Sequence, residues 1–273
     1  MKTNKFLIVV FSLFTAAAFG QTNGDSVTVE SIDADMQMHT CKQSKRQESV
    51  LEIFKKMGAA DDDFVIEKKG RADNVDLTVK GRTEEKIIVG AHYDKVTEGC
   101  GAIDNWSGIV ILANLYHAVK AKNPEKTFIF AAFDKEEEGL VGSGAMARKI
   151  PKEEKPQYCS MVNIDSFGFT YPQVLSNAST KKMTAFAREL AAEVKMPFSE
   201  VSLDGSADAD STSFVRIKIP AITFHGLTDK WPEYLHSSKD KIQNVQMQSV
   251  LVGFRFTSLF LERIDAKACD AFR

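Results

Sequence analysis

Residues 128–143, Phe128-Ile129-Phe130-Ala131-Ala132-Phe133-Asp134-Lys135-Glu136-Glu137-Glu138-Gly139-Leu140-Val141-Gly142-Ser143, decide how the fold is read. The first six residues are a short apolar run of the kind that forms a buried strand. The run ends on Asp134-Lys135 and three consecutive glutamates, and a helix is expected from Gly139 to about Lys149. Three adjacent carboxylates at the end of a buried strand repel one another, and desolvating them together needs strong compensation. A multivalent cation supplies it. Alone, the glutamates suit a solvated acidic turn as well as a site; matching ligands on other strands separate the two.

Outward from this stretch, residues 86–91 read as a strand that runs straight into His92-Tyr93-Asp94. Residues 158–164 form another, ending at Asp165, and residues 220–225 a third, ending on His225. Apolar residues at helical spacing predict helices over residues 36–57, 104–121, 180–195 and 243–265. Two alternating runs, 64–68 and 75–80, predict a hairpin, residues 172–175 a short strand, and residues 21–35 an extended polar segment. Strands alternating with helices, the strands almost continuously apolar, indicate an α/β sheet buried on both faces. With no internal repeat, low-complexity segment or linker, residues 21–273 are expected to form a single domain.

The 273 residues are 44% hydrophobic and 26% charged with a net charge of −2. That balance suits one large core and gives no basis for nucleic acid or an anionic membrane as partner. The first twenty residues stand apart. Lys2 and Lys5 precede an apolar run from Phe6 to Phe19, with Ala16, Ala17, Ala18 and Gly20 near its end. This is the pattern of a signal peptide, shorter than the roughly 20 apolar residues that span a bilayer. Residues 1–20 are therefore set apart from the fold, and export to the periplasm or the medium is expected. After removal of this segment no membrane association is expected.

In α/β sheets, sites form at the carboxyl ends of the strands. His92, the glutamates and Asp165 occupy three such ends. Two loops add Asp104, in Gly101-Ala102-Ile103-Asp104-Asn105-Trp106-Ser107-Gly108, and His236, in Tyr234-Leu235-His236-Ser237-Ser238. Taken singly, Asp104 also suits a helix N-cap, and the others suit ordinary turn or surface positions. Together, two histidines and three carboxylates form a nitrogen and oxygen set fitted to zinc. Five protein ligands exceed what one catalytic zinc takes and suit two ions sharing one carboxylate.

These motifs, with Glu136-Glu137-Glu138-Gly139-Leu140-Val141-Gly142-Ser143 and Asn163-Ile164-Asp165, resemble in order and spacing those of the di-zinc aminopeptidases of peptidase clan MH. The resemblance runs from about residue 85 to residue 245. It implies a mixed, centrally parallel sheet between helices, and hydrolysis of N-terminal residues from peptide substrates with two zinc ions. By the same resemblance Asp104 bridges the ions, Glu137 and His236 complete one site, and His92 and Asp165 the other. Asp94 would orient the His92 imidazole. Glu136 would be the general base for a metal-bridged water. Reading the glutamates one residue later would make Glu137 the base and Glu138 the ligand; the Gly139-Leu140 and Gly142-Ser143 anchors favour the first frame.

Two positions depart from the family pattern. Leu235 stands where many relatives have a tyrosine that stabilises the tetrahedral intermediate, which leaves Tyr234 as a candidate. Ala209-Asp210-Ser211 replaces Ser-Asp-His, with Asp210 a candidate for lining the site or for a solvated acidic loop with Asp204 and Asp208. His225 is a third candidate for touching substrate. The rival readings are a glutaminyl cyclase with one zinc, a dipeptidase or carboxypeptidase of the same fold, and a non-catalytic binding module.

Four cysteines remain, at 41, 100, 159 and 269. Cys100 lies between His92 and Asp104, on the carboxyl-end face. Cys159 begins the strand that ends at Asp165, which puts it roughly 20 Å away. Cys269 follows a long helix that leaves this face and descends about 30 Å. A disulfide needs Cα atoms within about 7 Å. Cys100 therefore pairs with Cys41 or remains a free thiol.

Overall fold

The structure, a computed structural model, describes residues 27–66, 72–202 and 208–273. The expected signal segment, the hairpin turn at Gly70-Arg71 and Asp204 lie outside the described residues.

The chain opens with two helices, α1 (Val29–Met36) and α2 (Gln43–Lys56). The sequence predicted an extended segment followed by one helix over residues 36–57, and the structure corrects this. Thr28 caps α1 in a capping box with Ser31, and Ile32 and Met36 are buried. The hydrogen-bond ladder breaks over residues 37–42, where Cys41 is tied elsewhere by a disulfide. The apolar spacing that marked this helix, Val50, Ile53, Phe54 and Met57, lies wholly within α2 and its C-cap, and residues 42–49 carry no apolar residue, so periodicity did not fix where the helix begins.

The hairpin follows as β1 (Phe64–Ile66) and β2 (Val75–Val79), paired antiparallel. Next come β3 (Lys86–His92), α3 (Ser107–Lys120), β4 (Thr127–Phe133), α4 (Val141–Lys149), β5 (Tyr158–Ile164) and β6 (Gln173–Leu175). The chain closes with α5 (Lys181–Glu193), β7 (Glu200–Val201), α6 (Ser211–Arg216), β8 (Ala221–His225) and α7 (Met247–Asp265). Of these, β7 and α6 were not anticipated; two and six residues are too short for periodicity to register.

The eight strands form one sheet in the order β1-β2-β4-β3-β5-β8-β6-β7. Its centre, β4-β3-β5-β8, is parallel, and β2 and β6 flank that centre antiparallel. This is the mixed, centrally parallel sheet expected. Alternation along β3 divides the core in two. Ile87, Val89 and Ala91 pack with residues of α1, α2, α3, α5 and α7, whereas Ile88 packs on the opposite face with Ala147 of α4 and Phe214 of α6. Because these strands run in parallel, their carboxyl ends come out on one edge. In register, His92 pairs with Phe133, Gly90 with Asn163, and Ile164 with Phe224.

Two disulfides join distant segments. Cys41 bonds Cys100, and Cys159 bonds Cys269. The first is the one partner geometry allowed Cys100, and the second closes the opposite end of the sheet. None of the described helices is long and apolar enough to cross a membrane.

Candidate metal centre

The carboxylate of Asp104 stands between the two histidines. Its Oδ1 is 3.0 Å from His92 Nε2, and its Oδ2 is 3.3 Å from His236 Nε2. His92 Nε2 also lies 3.6 Å from Asp165 Oδ1, and His236 Nε2 lies 3.1 Å from Glu137 Oε2. Two clusters thus share one carboxylate. Ligand atoms of His92, Asp104 and Glu137 all fall within 4.8 Å of one another. Glu137 Oε1 is buried with no hydrogen-bond partner among the described residues. A carboxylate oxygen only accepts, so a cation would satisfy it, and the donor set of imidazole and carboxylate fits zinc.

The loop that carries Asp104 is held by the residues around it. Asp104 is not an N-cap: α3 starts at Ser107, and Asp104 sits at φ −115° and ψ 93°, outside helical geometry. The Asp104–Asn105 peptide is cis. Asp240 fixes this loop from four residues beyond His236, its carboxylate accepting the Ile103 amide at 2.7 Å and the Asp104 amide at 3.3 Å. Asn105 ties the loop to β5. Its Nδ2 donates to Ile164 O at 2.9 Å, and its Oδ1 accepts the amides of Gly108 and Ser166, each at 3.0 Å. A Cβ on Gly108 would fall 2.3 Å from Asn105 Oδ1, so the glycine is required for this fit.

Asp94 reaches both His92 and the glutamate turn. Its Oδ1 faces His92 Nδ1 across 3.4 Å, and its two oxygens accept the amides of Glu136 at 3.0 Å and Glu137 at 3.1 Å. One carboxylate therefore positions a histidine and both glutamates. Lys135, Leu140, Ser166 and His236 all adopt positive φ, between 56° and 59°. For residues with a Cβ this is sparsely populated backbone of the kind that gathers at functional sites.

Glu136 and Glu137 line a cavity of about 470 Å³ together with His92, Asp104, Asp165 and His236. Glu138 does not; its side chain is 64% exposed and pairs with Lys135 at 3.5 Å. This placement fits the first reading frame. Burial pushes the Glu136 carboxyl well above the ordinary range; Asp210, Asp165 and Asp104 add to the rise, and His92 opposes it. Hydrogen bonds to Asp104 and Glu137 raise His236 to about 10. His92, despite a large opposing desolvation, is also raised, by Asp104, Asp165 and Asp94.

The candidate substrate contacts separate. His225 lines the cavity, with Leu175, Leu227, Trp231 and Leu235. Its Nδ1 accepts the Leu227 amide at 3.3 Å, and burial lowers its pKa to about 4, so the ring is neutral. Tyr234 is not on the cavity wall; it packs against Phe169 at 5.0 Å between ring centroids. Asp210 is fully buried and also off the wall, and burial raises it to about 7. This corrects the expectation of Asp210 as a cavity-lining or solvated residue: it directly precedes α6, which begins at Ser211, and is enclosed in the interior. Asp208 instead lines the cavity, ion-paired with Arg216 at 3.2 Å. Trp106 is core, as a residue following a buried loop should be.

A mixed α/β sheet with a histidine and carboxylate cluster on its carboxyl edge is the architecture of the zinc exopeptidases. Residues 74–256 match the model of Peptidase family M28, and the protein belongs to that family. A probable leucine aminopeptidase of Arthroderma otae is 28% identical over 200 residues, covering 65% of this chain and 53% of that protein. The chain thus spans about half the length of the curated relatives it matches. Two solved structures share the fold. LapB of Legionella pneumophila superposes with a TM-score of 0.75 at 19% identity, over 89% of this chain and 73% of that one. A glutaminyl cyclase of an Acidobacteriales bacterium gives 0.72 at 14% identity, over 91% of this chain and 99% of that one.

Proposed function

We propose that the protein is an exported, zinc-dependent aminopeptidase that hydrolyses N-terminal residues from peptides. The observation that carries this reading is the division of the Asp104 carboxylate between His92 at 3.0 Å and His236 at 3.3 Å. On that basis His92, Asp165 and Asp104 hold one zinc ion, and His236, Glu137 and Asp104 a second. When bound, zinc supplies Lewis acidity, polarising the scissile carbonyl and acidifying water. Glu136, half-buried beside the cluster and not paired to either histidine, takes a proton from the attacking water and delivers it to the leaving amine. Asp94 keeps Glu136 and Glu137 in their separate roles by holding both amides. The apolar wall of Leu175, Leu227, Trp231 and Leu235 receives the N-terminal side chain, with His225 beside it. Export is supported by the N-terminal signal pattern and by two disulfides, which form and persist in oxidising compartments.

The deciding experiment is metal analysis of the purified protein combined with hydrolysis of aminoacyl coumarylamides. Two zinc equivalents, activity lost on chelation and restored by zinc, and loss of most activity in Asp104→Ala are expected. Full activity after exhaustive chelation would sink the reading. Coverage of 99% of the glutaminyl cyclase structure gives a second reading its footing. One zinc equivalent, with N-terminal glutamine peptides that lose ammonia but keep their first residue, would favour cyclisation.

A further inference from the structure

Among the described residues, Arg46 is the largest charged side chain sealed inside the protein, with no exposed surface. It enters from the first turn of α2, which lies outside the family-matched residues 74–256. A buried guanidinium ordinarily faces a carboxylate. Here its hydrogen bonds, among the described residues, all go to main-chain carbonyls. Nε donates to Tyr93 O, Nη1 to Thr40 O at 3.1 Å and Cys100 O at 3.0 Å, and Nη2 to Gly101 O at 3.1 Å. The guanidinium also lies 5.8 Å from the centroid of the Trp106 ring.

The carbonyls it gathers are not a random set. Tyr93 directly follows the ligand His92 and precedes Asp94. Cys100 and Gly101 open the loop that delivers Asp104. Thr40 and Cys100 flank or form the Cys41–Cys100 bond. One rigid, planar fork therefore fixes the spacing between the two segments that supply His92 and Asp104. Gly101, at φ 60°, completes the cradle: a Cβ there would stand 2.8 Å from Lys95 Cβ, 2.9 Å from Asp104 O and 3.1 Å from Arg46 Nη1. Burial lowers the guanidinium pKa to about 10, and Asp240, Asp94, Asp104 and Glu137 oppose that fall, so it stays charged at neutral pH and faces an anionic cluster without pairing to it.

We propose that Arg46 is a positioning residue for the metal centre, setting the distance between His92 and Asp104 through the carbonyls of Tyr93, Cys100 and Gly101. The inference rests on the metal reading above, and its test reads zinc binding separately from catalysis. Arg46→Lys keeps the charge but loses the fork; Arg46→Met loses both. Asp35→Asn serves as a structural comparator, because the Asp35 side chain ties the same region to Lys56 at 2.6 Å and Asn114 at 2.9 Å, and the substitution leaves in place the main-chain carbonyl that accepts the Trp106 indole N–H at 3.3 Å.

Zinc affinity is measured on each full-length chain by competition with a chromophoric chelator, with thermal unfolding of the chelated protein alongside. Removal of a group that orients metal ligands costs about 10- to 100-fold in metal affinity. Arg46→Lys is expected to weaken zinc by that factor, and Arg46→Met by more. The loss in kcat/KM should fall in kcat, with KM within about twofold of wild type. Asp35→Asn should lower the unfolding temperature with zinc affinity unchanged. Folded Arg46 variants that bind zinc as tightly as wild type overturn the proposal, as does equal weakening in Asp35→Asn. If neither Arg46 variant folds, Gly101→Ala decides: it disturbs the same cradle, and undiminished zinc affinity there overturns the proposal. A wild-type chain that hydrolyses nothing but binds zinc refutes the aminopeptidase reading and leaves this test standing. A wild-type chain that binds no zinc refutes both.

Discussion

Glu136 and Glu137 are neighbours in the chain whose side chains diverge into different surroundings. Glu137 Oε2 meets His236 at 3.1 Å, whereas Glu136 pairs with neither histidine. Glu136→Gln is therefore expected to retain both zinc ions while losing about 10²- to 10⁴-fold in kcat, the usual weight of general acid–base catalysis. Zinc analysis beside steady-state kinetics checks this, and lost metal would show that Glu136 is a ligand. The histidines give a pH prediction for the zinc-free chain. His236 is raised to about 10 by Asp104 and Glu137, so it is protonated at neutral pH, and His92 is raised by Asp104, Asp165 and Asp94 against its desolvation. Raised folded-state values contribute stability that is complete below pH 6.5 and is lost as pH climbs toward 10. The chelated protein should thus lose stability across that window. Zinc needs neutral imidazole, so its binding at pH 7 should release at least the His236 proton. Calorimetry in buffers of different ionisation heat measures the number, and zero would show that these rings are already neutral.

At the scale of elements, the decisive joint is the turn from β4 into α4. Asn74 at the start of β2 donates to Gly142 O at 3.0 Å and accepts the Asp134 amide at 3.1 Å, which fastens both ends of the glutamate turn to the sheet. A Cβ on Gly142 would lie 2.3 Å from Asn74 Oδ1 and 2.4 Å from Asp134 O, so this glycine is fixed by close approach and not by positive φ. Gly142→Ala should cost about 1–3 kcal/mol, the range for overpacking a tight contact. It should also lower kcat, because the carbonyl it displaces belongs to the residue that precedes Lys135 and the glutamates. Chemical denaturation and kinetics together test this; unchanged stability would mean that the turn yields freely. The resemblance marked Gly142 as an alignment anchor, but what it makes room for became visible only when β2 was placed beside β4.

At the scale of the whole molecule, the two disulfides sit at opposite ends of the sheet and are expected to act differently. They close loops of 59 and 110 residues, and the chain-entropy account gives each about 4–5 kcal/mol as a ceiling. Cys159→Ser with Cys269→Ser should lower stability by a few kcal/mol and leave kcat at 25 °C unchanged. Cys41→Ser with Cys100→Ser should lower stability and weaken zinc as well, since Cys100 opens the loop to Asp104. Equal effects on zinc from both pairs would refute the assignment of ends. The α/β class, the strand-end placement of His92, the glutamates and Asp165, and the exclusion of Cys159 and Cys269 as partners of Cys100 were legible in the sequence. Each depends on local periodicity and on lengths along the chain, which sequence records directly. The break between α1 and α2, the burial of Asp210, the double role of Asp94 and the parts played by Asp240 and Arg46 were not. These depend on contacts between segments far apart in the chain, such as Arg46 with Tyr93, Cys100 and Gly101. A lone arginine in a polar helix gives no sign of its burial until the tertiary structure brings those carbonyls around it.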